Sequence, residues 1–164
     1  MAFQAFGSDT RQLALMTVEV VALVLLFATD LDQRLLPDVI TYPLIALAVV
    51  AFALGIGPYV HDPVELGFAA AAAVLVPAVL YLVSIPFGPG AIGQGDLKLL
   101  AGVGLFGGPF RLFFGLVAGA IAAAVVIVVL VAVRRITLKT YVPYGPFLIA
   151  GALWALLTDA SSFP

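Results

Sequence analysis

The chain has 164 residues, of which 64% are hydrophobic and only 10% charged, with a formal net charge of −2. Its mean hydropathy is +1.24, whereas soluble domains carry about a quarter charged residues, so an ordinary soluble domain is excluded. There is no basic patch of the kind that binds nucleic acid, and with no cysteine the chain has no disulfide, no thiolate chemistry and no Cys-type zinc site.

The composition predicts an all-α, polytopic membrane protein. A single transmembrane domain over 1–164 is expected, a bundle of about six transmembrane helices. The first apolar run, 12–29, follows a segment whose only charges are Asp9 and Arg11. With so little positive charge ahead of it and no small-x-small cleavage site, it reads as a retained helix rather than a removed signal. The second run, 39–56, follows Pro37-Asp38, so Asp38 is placed to cap it. The third, 64–86, opens with Asp62-Pro63-Val64-Glu65, a capping-box pattern with proline at the first helical position. Residues 86–95 contain four glycines and two prolines and cannot form a regular helix. The fourth run, 97–108, is shorter than the about 20 residues an ideal span needs. The fifth covers 110–133, and the last, 144–158, restarts after Pro143-Tyr144-Gly145-Pro146. Gly115 and Gly119, with the alanine run Ala69 to Ala73, favour close helix packing; Gly119→Ala is expected to be tolerated.

With six spans, the regions 29–38, 87–97 and 134–143 share one membrane face. They hold Arg34, Lys98, Arg134, Arg135 and Lys139, five of the seven basic residues, against Arg11 and Arg111 on the other face. The positive-inside rule makes the first face cytoplasmic and places both termini outside. Asp30 and Asp96 then lie at the same, cytoplasmic, face.

Charged side chains at membrane depth are costly and mark polar cavities, substrate paths or catalytic sites. Gly93-Gln94-Gly95-Asp96 sets a carboxylate beside two glycines, and Asp30 ends the first apolar run. Asp96 reads either as the N-cap of the fourth helix or as a site residue, with Gly93 and Gly95 leaving room for a substrate strand. Asp30 opposes its own helix dipole, which makes a structural role harder to find; the plain alternative is an interfacial charge. Asp32 and Asp38 are a loop charge and a cap, or acids that attract a basic substrate segment. Glu19 lies well inside the first span and is given no catalytic part. Lys98 reads as an anchor at the cytoplasmic boundary. His61, the only histidine, and Ser84 sit at opposite ends of the third run, too far apart to pair. No His-x-x-x-His or Glu-x-x-His pattern is present for a catalytic metal.

Three motifs carry a family resemblance. The segment from Thr29 to Pro43, with Asp30-Leu31-Asp32 at its head, resembles the first signature of the type IV prepilin peptidases. Gly93-Gln94-Gly95-Asp96-Leu97-Lys98 resembles their Gly-x-Gly-Asp signature, and Pro143-Tyr144-Gly145-Pro146 resembles their late Pro-x-Gly-Pro element. The motifs stand in the family's order and cover nearly the whole chain. The resemblance implies an intramembrane aspartic endopeptidase that removes the basic leader from prepilin or pseudopilin precursors at the cytoplasmic membrane. It maps the catalytic pair to Asp30 and Asp96. Larger members carry a cytoplasmic domain with paired Cys-x-x-Cys motifs linked to N-methylation. This chain has neither the room nor the cysteines, so it resembles the short, peptidase-only members.

Two carboxyls at one site are expected to share a proton. One takes a proton from the attacking water while the other donates to the carbonyl oxygen or leaving amine, and no metal or organic cofactor is required. The rival readings are a small proton-coupled transporter or channel with buried aspartates, and a presenilin-like protease with another substrate. Transporter sites usually lie near the midplane, whereas both acids here fall at one face.

Overall fold

The apolar runs fold as helices, and no strand occurs among the described residues. The computed structural model describes residues 10–33, 36–60, 62–88, 92–135 and 144–158. Arg34, His61, Pro89, Gly90, Ala91, Lys139 and Pro143, which the sequence argument uses, lie outside them. The helices are α1 (Thr10–Gln33), α2 (Asp38–Leu54), α3 (Pro63–Ser84), α4 (Gln94–Ala132) and α5 (Gly145–Leu157), with a 3-10 turn at Ile85–Phe87. By length and composition, α1, α3 and α4 can cross a membrane, and α2 and α5 are shorter apolar helices.

Local chemistry accounts for the boundaries. Asp62 forms the expected capping box with Glu65, whose Oε2 accepts the Asp62 N–H at 3.5 Å, and Pro63 occupies the first turn. Asp38 does not cap α2. The cap position belongs to Pro37, in extended conformation, and Asp38 is the first helical residue, where a negative charge suits the positive end of the helix dipole. The fourth and fifth predicted segments are one 39-residue element broken at a single point, Gly108, with φ 78° and ψ 177°. That backbone region belongs to glycine, and the following Pro109 lacks the N–H that would close the helical turn. The arms 94–107 and 109–132 therefore diverge where the sequence places a break.

The long helix α4 is the centre of the bundle, packing against α3, α5 and α2, while α1 packs against α5 and α2. Leu23, Leu26, Leu99, Leu100, Val103, Phe106, Leu148 and Ile149 form the middle of the core. Outward-facing positions such as Val24, Val74, Leu75 and Val128 are equally apolar, which suits a lipid environment. Where α4 crosses α5, backbone meets backbone. A Cβ built on Gly119 would sit 2.6 Å from the Phe147 carbonyl oxygen, and one on Gly151 would overlap the Gly115 carbonyl. The small-residue pair thus packs as expected, but the expectation that alanine is tolerated at Gly119 is not met by this geometry, because the obstacle is rigid backbone.

One polar cluster lies in the bundle away from the aspartates. Glu19 is fully buried with neither carboxylate oxygen hydrogen-bonded among the described residues. Nearby, Arg111 stacks over the Tyr59 ring, 3.8 Å from its centroid, at the range of a cation–π contact. The Tyr59 hydroxyl donates to the Leu156 carbonyl and lies 3.4 Å from Met16 Sδ. Burial, first, pushes this hydroxyl up to about 12, against the opposing pull of Arg111, so Tyr59 remains a donor. Arg111 is buried, not a loop cation, and so does not count toward the loop-charge asymmetry on which orientation rests.

Candidate active site

Asp30 occupies the last turn of α1, buried with 5% of its surface exposed. It opposes the dipole of its own helix, but α5 begins directly against it. A Cβ on Gly145 would overlap Asp30 Oδ2 and lie 3.0 Å from its Cγ. Gly145 is the first residue of α5 and Pro146 follows it in the first turn, so the carboxyl faces the positive end of a neighbouring helix. Among the described residues Asp30 Oδ2 has no hydrogen-bond partner. A buried carboxylate oxygen without a partner is unusual and calls for an explanation such as a reactive role or a bound water.

Asp96 lies in the first turn of α4 and is half-buried. Gly93 is the cap residue, so Asp96 is not the N-cap. Instead its carboxylate accepts the Gly93 backbone N–H, the returning half of a capping box. A Cβ on Gly93 would stand 3.3 Å from Asp96 Oδ2. The space beside Gly95 is not open: a Cβ there would meet Leu36 Cβ at 2.8 Å and Leu36 Cδ1 at 3.2 Å. Gly95 therefore allows close packing of the Asp96 turn on the 36–38 connection. That differs from the expectation that its free side admits a substrate strand.

Beside Asp96 a cavity of about 290 Å³ is walled by Leu80, Leu100, Leu116 and Leu148, with Ile92 and Gly93 at one edge. Among the described residues that line it, Asp96 and Tyr144 carry the polar side chains. Burial, and next the Asp96 charge, push the Tyr144 hydroxyl above its ordinary range, so it faces the cavity protonated, able to donate. Asp30 and Asp96 are close enough for their charges to interact. Two helices thus bring the two carboxyl groups to one site, beside the start of a third. Among the described residues, no group of three or more His, Cys, Asp or Glu side chains gathers to hold a metal ion.

The remaining candidates separate. Asp32 is exposed at the end of α1. Asp38 is half-exposed and already engaged, its Oδ1 2.7 Å from Lys98 Nζ. Lys98 also lies over the Tyr42 ring, 4.5 Å from its centroid; it points at α2 rather than out to a boundary. Sequence reasoning missed Gly145 and Tyr144 as site residues. The Tyr144-Gly145-Pro146 restart stands out in the sequence both as a helix break and as the Pro-x-Gly-Pro element, but neither reading says that it meets the aspartates.

The type IV leader peptidase family pattern matches residues 17–128. The chain is 32% identical over 129 residues to a prepilin leader peptidase/N-methyltransferase of Pseudomonas aeruginosa, covering 78% of this chain and 43% of that protein. It is 32% identical over 155 residues to the protein of the same name from Pseudomonas putida, covering 94% and 53%. A third relative of that name, from Burkholderia pseudomallei, is 33% identical over 130 residues, covering 79% and 41%. The chain spans about half the length of these curated relatives. No solved structure matches it. With the pattern covering more than half of its residues, including both Asp30 and Asp96, the chain belongs to the type IV leader peptidase family.

Proposed function

We propose that this protein is an intramembrane aspartic endopeptidase that removes the basic leader from type IV prepilin-like precursors, with Asp30 and Asp96 as the catalytic pair. The observation that carries the reading is the meeting of two carboxyl groups from separate helices, α1 and α4, within range of each other's charge at the start of α5. Two carboxyls at one site hold a shared proton. The ionised one takes a proton from water as the water oxygen attacks the scissile carbonyl carbon. The protonated one gives its proton to the carbonyl oxygen. In collapse, the first returns a proton to the leaving nitrogen, the C–N bond breaks, and the second recovers its proton from the hydroxyl. Tyr144, protonated and in the same cavity as Asp96, is placed to orient the chain that enters. Asp32, exposed beside the site, is the acid available to a basic leader, and Gly93 leaves the approach to Asp96 uncrowded. The proposal covers the peptidase part of the relatives' name only.

Two further arguments favour a multi-pass protein of the cytoplasmic membrane with the site at the cytoplasmic face and both termini outside. Arg134 and Arg135 directly follow α4, in the loop that the six-span count puts on the same face as the aspartates, and loop cations favour the cytoplasmic side. At 39 residues, α4 is about twice the length one span needs, and it is broken at Gly108, so its two arms are read as two of about six spans. A proton-coupled transporter reading is weaker, because both acids lie at helix ends. The deciding experiment incubates the purified protein with a synthetic precursor carrying a basic leader and an apolar helix, and reads the products by mass spectrometry. A single cut between leader and helix is expected; an intact precursor would count against the reading.

A further inference from the structure

We propose that Lys98 is a positioning residue of the reaction: by bridging Asp38 and Tyr42 it fixes the start of α4, and with it Asp96, against the segment that follows Asp30. The inference rests on the peptidase reading above and deepens it.

Lys98 Nζ lies 2.7 Å from Asp38 Oδ1 and 4.5 Å from the Tyr42 ring centroid. Asp38 and Tyr42 are four residues apart on α2, so they share one face and offer the ammonium a carboxylate and a π-surface together. A boundary anchor would send its ammonium outward to headgroups; this one is turned onto a neighbouring helix. Three residues before it, Gly95 packs so closely on Leu36 that a Cβ would come within 2.8 Å of the leucine Cβ. The stretch 93–98 is thus fastened to the stretch 36–42 at two points, one apolar and one ionic, and Asp96 stands between them. That stretch opens α2, and α2 packs against α1, the helix that carries Asp30. Each carboxyl is therefore registered to the other through this pair of contacts. The ion pair is partly exposed, at 28% for Lys98 and 57% for Asp38, and such pairs add little to stability, so its effect falls on geometry. Catalysis is sensitive to geometry: displacement of a reacting group by about 1 Å can cost on the order of 100-fold in rate.

The test compares Lys98→Met, Asp38→Asn and the charge-swapped double variant, Lys98→Asp with Asp38→Lys, at equal membrane abundance. Each single change is expected to lower kcat on the order of 10-fold with KM unchanged, and the swap to recover most of the loss. A second measurement needs no turnover. Because the chain has no cysteine, Asp30→Cys with Asp96→Cys can be joined by a short bifunctional maleimide without background, and Lys98→Met in that background is expected to lower the linked yield several-fold. A rise in KM with kcat unchanged, a swap no better than the single variants, or an unchanged linked yield would overturn the proposal. If the wild-type chain leaves precursors intact, the peptidase reading fails on its own, and the crosslink still decides the positioning role.

Discussion

Gly145 lies so close to Asp30 that a Cβ on the glycine would overlap the carboxylate Oδ2. This contact ties the start of α5 to the last turn of α1. Gly145→Ala is expected to push the α5 start away from Asp30 and to lower cleavage on the order of 100-fold, the loss that a misplacement of about 1 Å can produce. The check is turnover of a synthetic precursor alongside membrane abundance. Wild-type turnover by a normally abundant variant would show that this contact does not set the site.

Asp30→Asn and Asp96→Asn keep side-chain shape and remove the acid, and each is expected to abolish measurable cleavage, since loss of a general acid or base alone costs about 100- to 10,000-fold. Asp32→Asn should change KM more than kcat, because Asp32 is exposed and acts, by this reading, only on the leader. Full loss of turnover in a folded Asp32→Asn protein would mean that the wrong acid of Asp30-Leu31-Asp32 was chosen.

Much of this arrangement was legible in the sequence, and the rest was not for identifiable reasons. Helix breaks were readable because Gly107-Gly108-Pro109 and Asp62-Pro63 act through local dihedral and capping rules. Side-chain partners were not, because they depend on which helices meet. The void expected beside Gly95 is filled by Leu36, and the acid expected to cap α2 is held by Lys98. The dipole penalty at Asp30 was read correctly from its own helix. Its offset by the α5 start depends on a segment more than a hundred residues along the chain.

Gly95→Ala is predicted to cripple cleavage through a steric collision with Leu36, not by blocking a substrate. That origin can be separated from substrate exclusion. Leu36→Gly removes the Cβ that would stand 2.8 Å from the new methyl group, so the double variant Gly95→Ala with Leu36→Gly should recover turnover relative to Gly95→Ala alone. No recovery would return the argument to substrate access at this loop.

Orientation is open to chemical labelling. A cysteine replacing Gln33, at the exposed end of α1, should react with a membrane-impermeant maleimide only from the cytoplasmic side. One replacing Val64, exposed in the first turn of α3, should react only from outside. Reaction of both from the same side would rule out the arrangement in which α2 crosses the membrane between them.

The crossing of α4 and α5 gives a prediction about stability. A methyl group at Gly119 would meet the Phe147 carbonyl oxygen at 2.6 Å and the Leu148 Cα at 3.3 Å. Neither neighbour is the tip of a flexible side chain, so the helices themselves must part. Overpacking of this kind costs about 1–3 kcal/mol. Gly67, by contrast, lies in α3 with nothing within 4 Å of a built Cβ. Alanine there removes only the helix penalty of glycine, a gain of about 0.5–1 kcal/mol. Thermal unfolding in detergent should therefore show a lowered midpoint for Gly119→Ala and an equal or raised one for Gly67→Ala. Because α5 also carries Gly145 against Asp30, the Gly119 variant should lose turnover as well as stability. A Gly119→Ala protein with wild-type midpoint and wild-type turnover would show that the two helices do not meet backbone to backbone at this point.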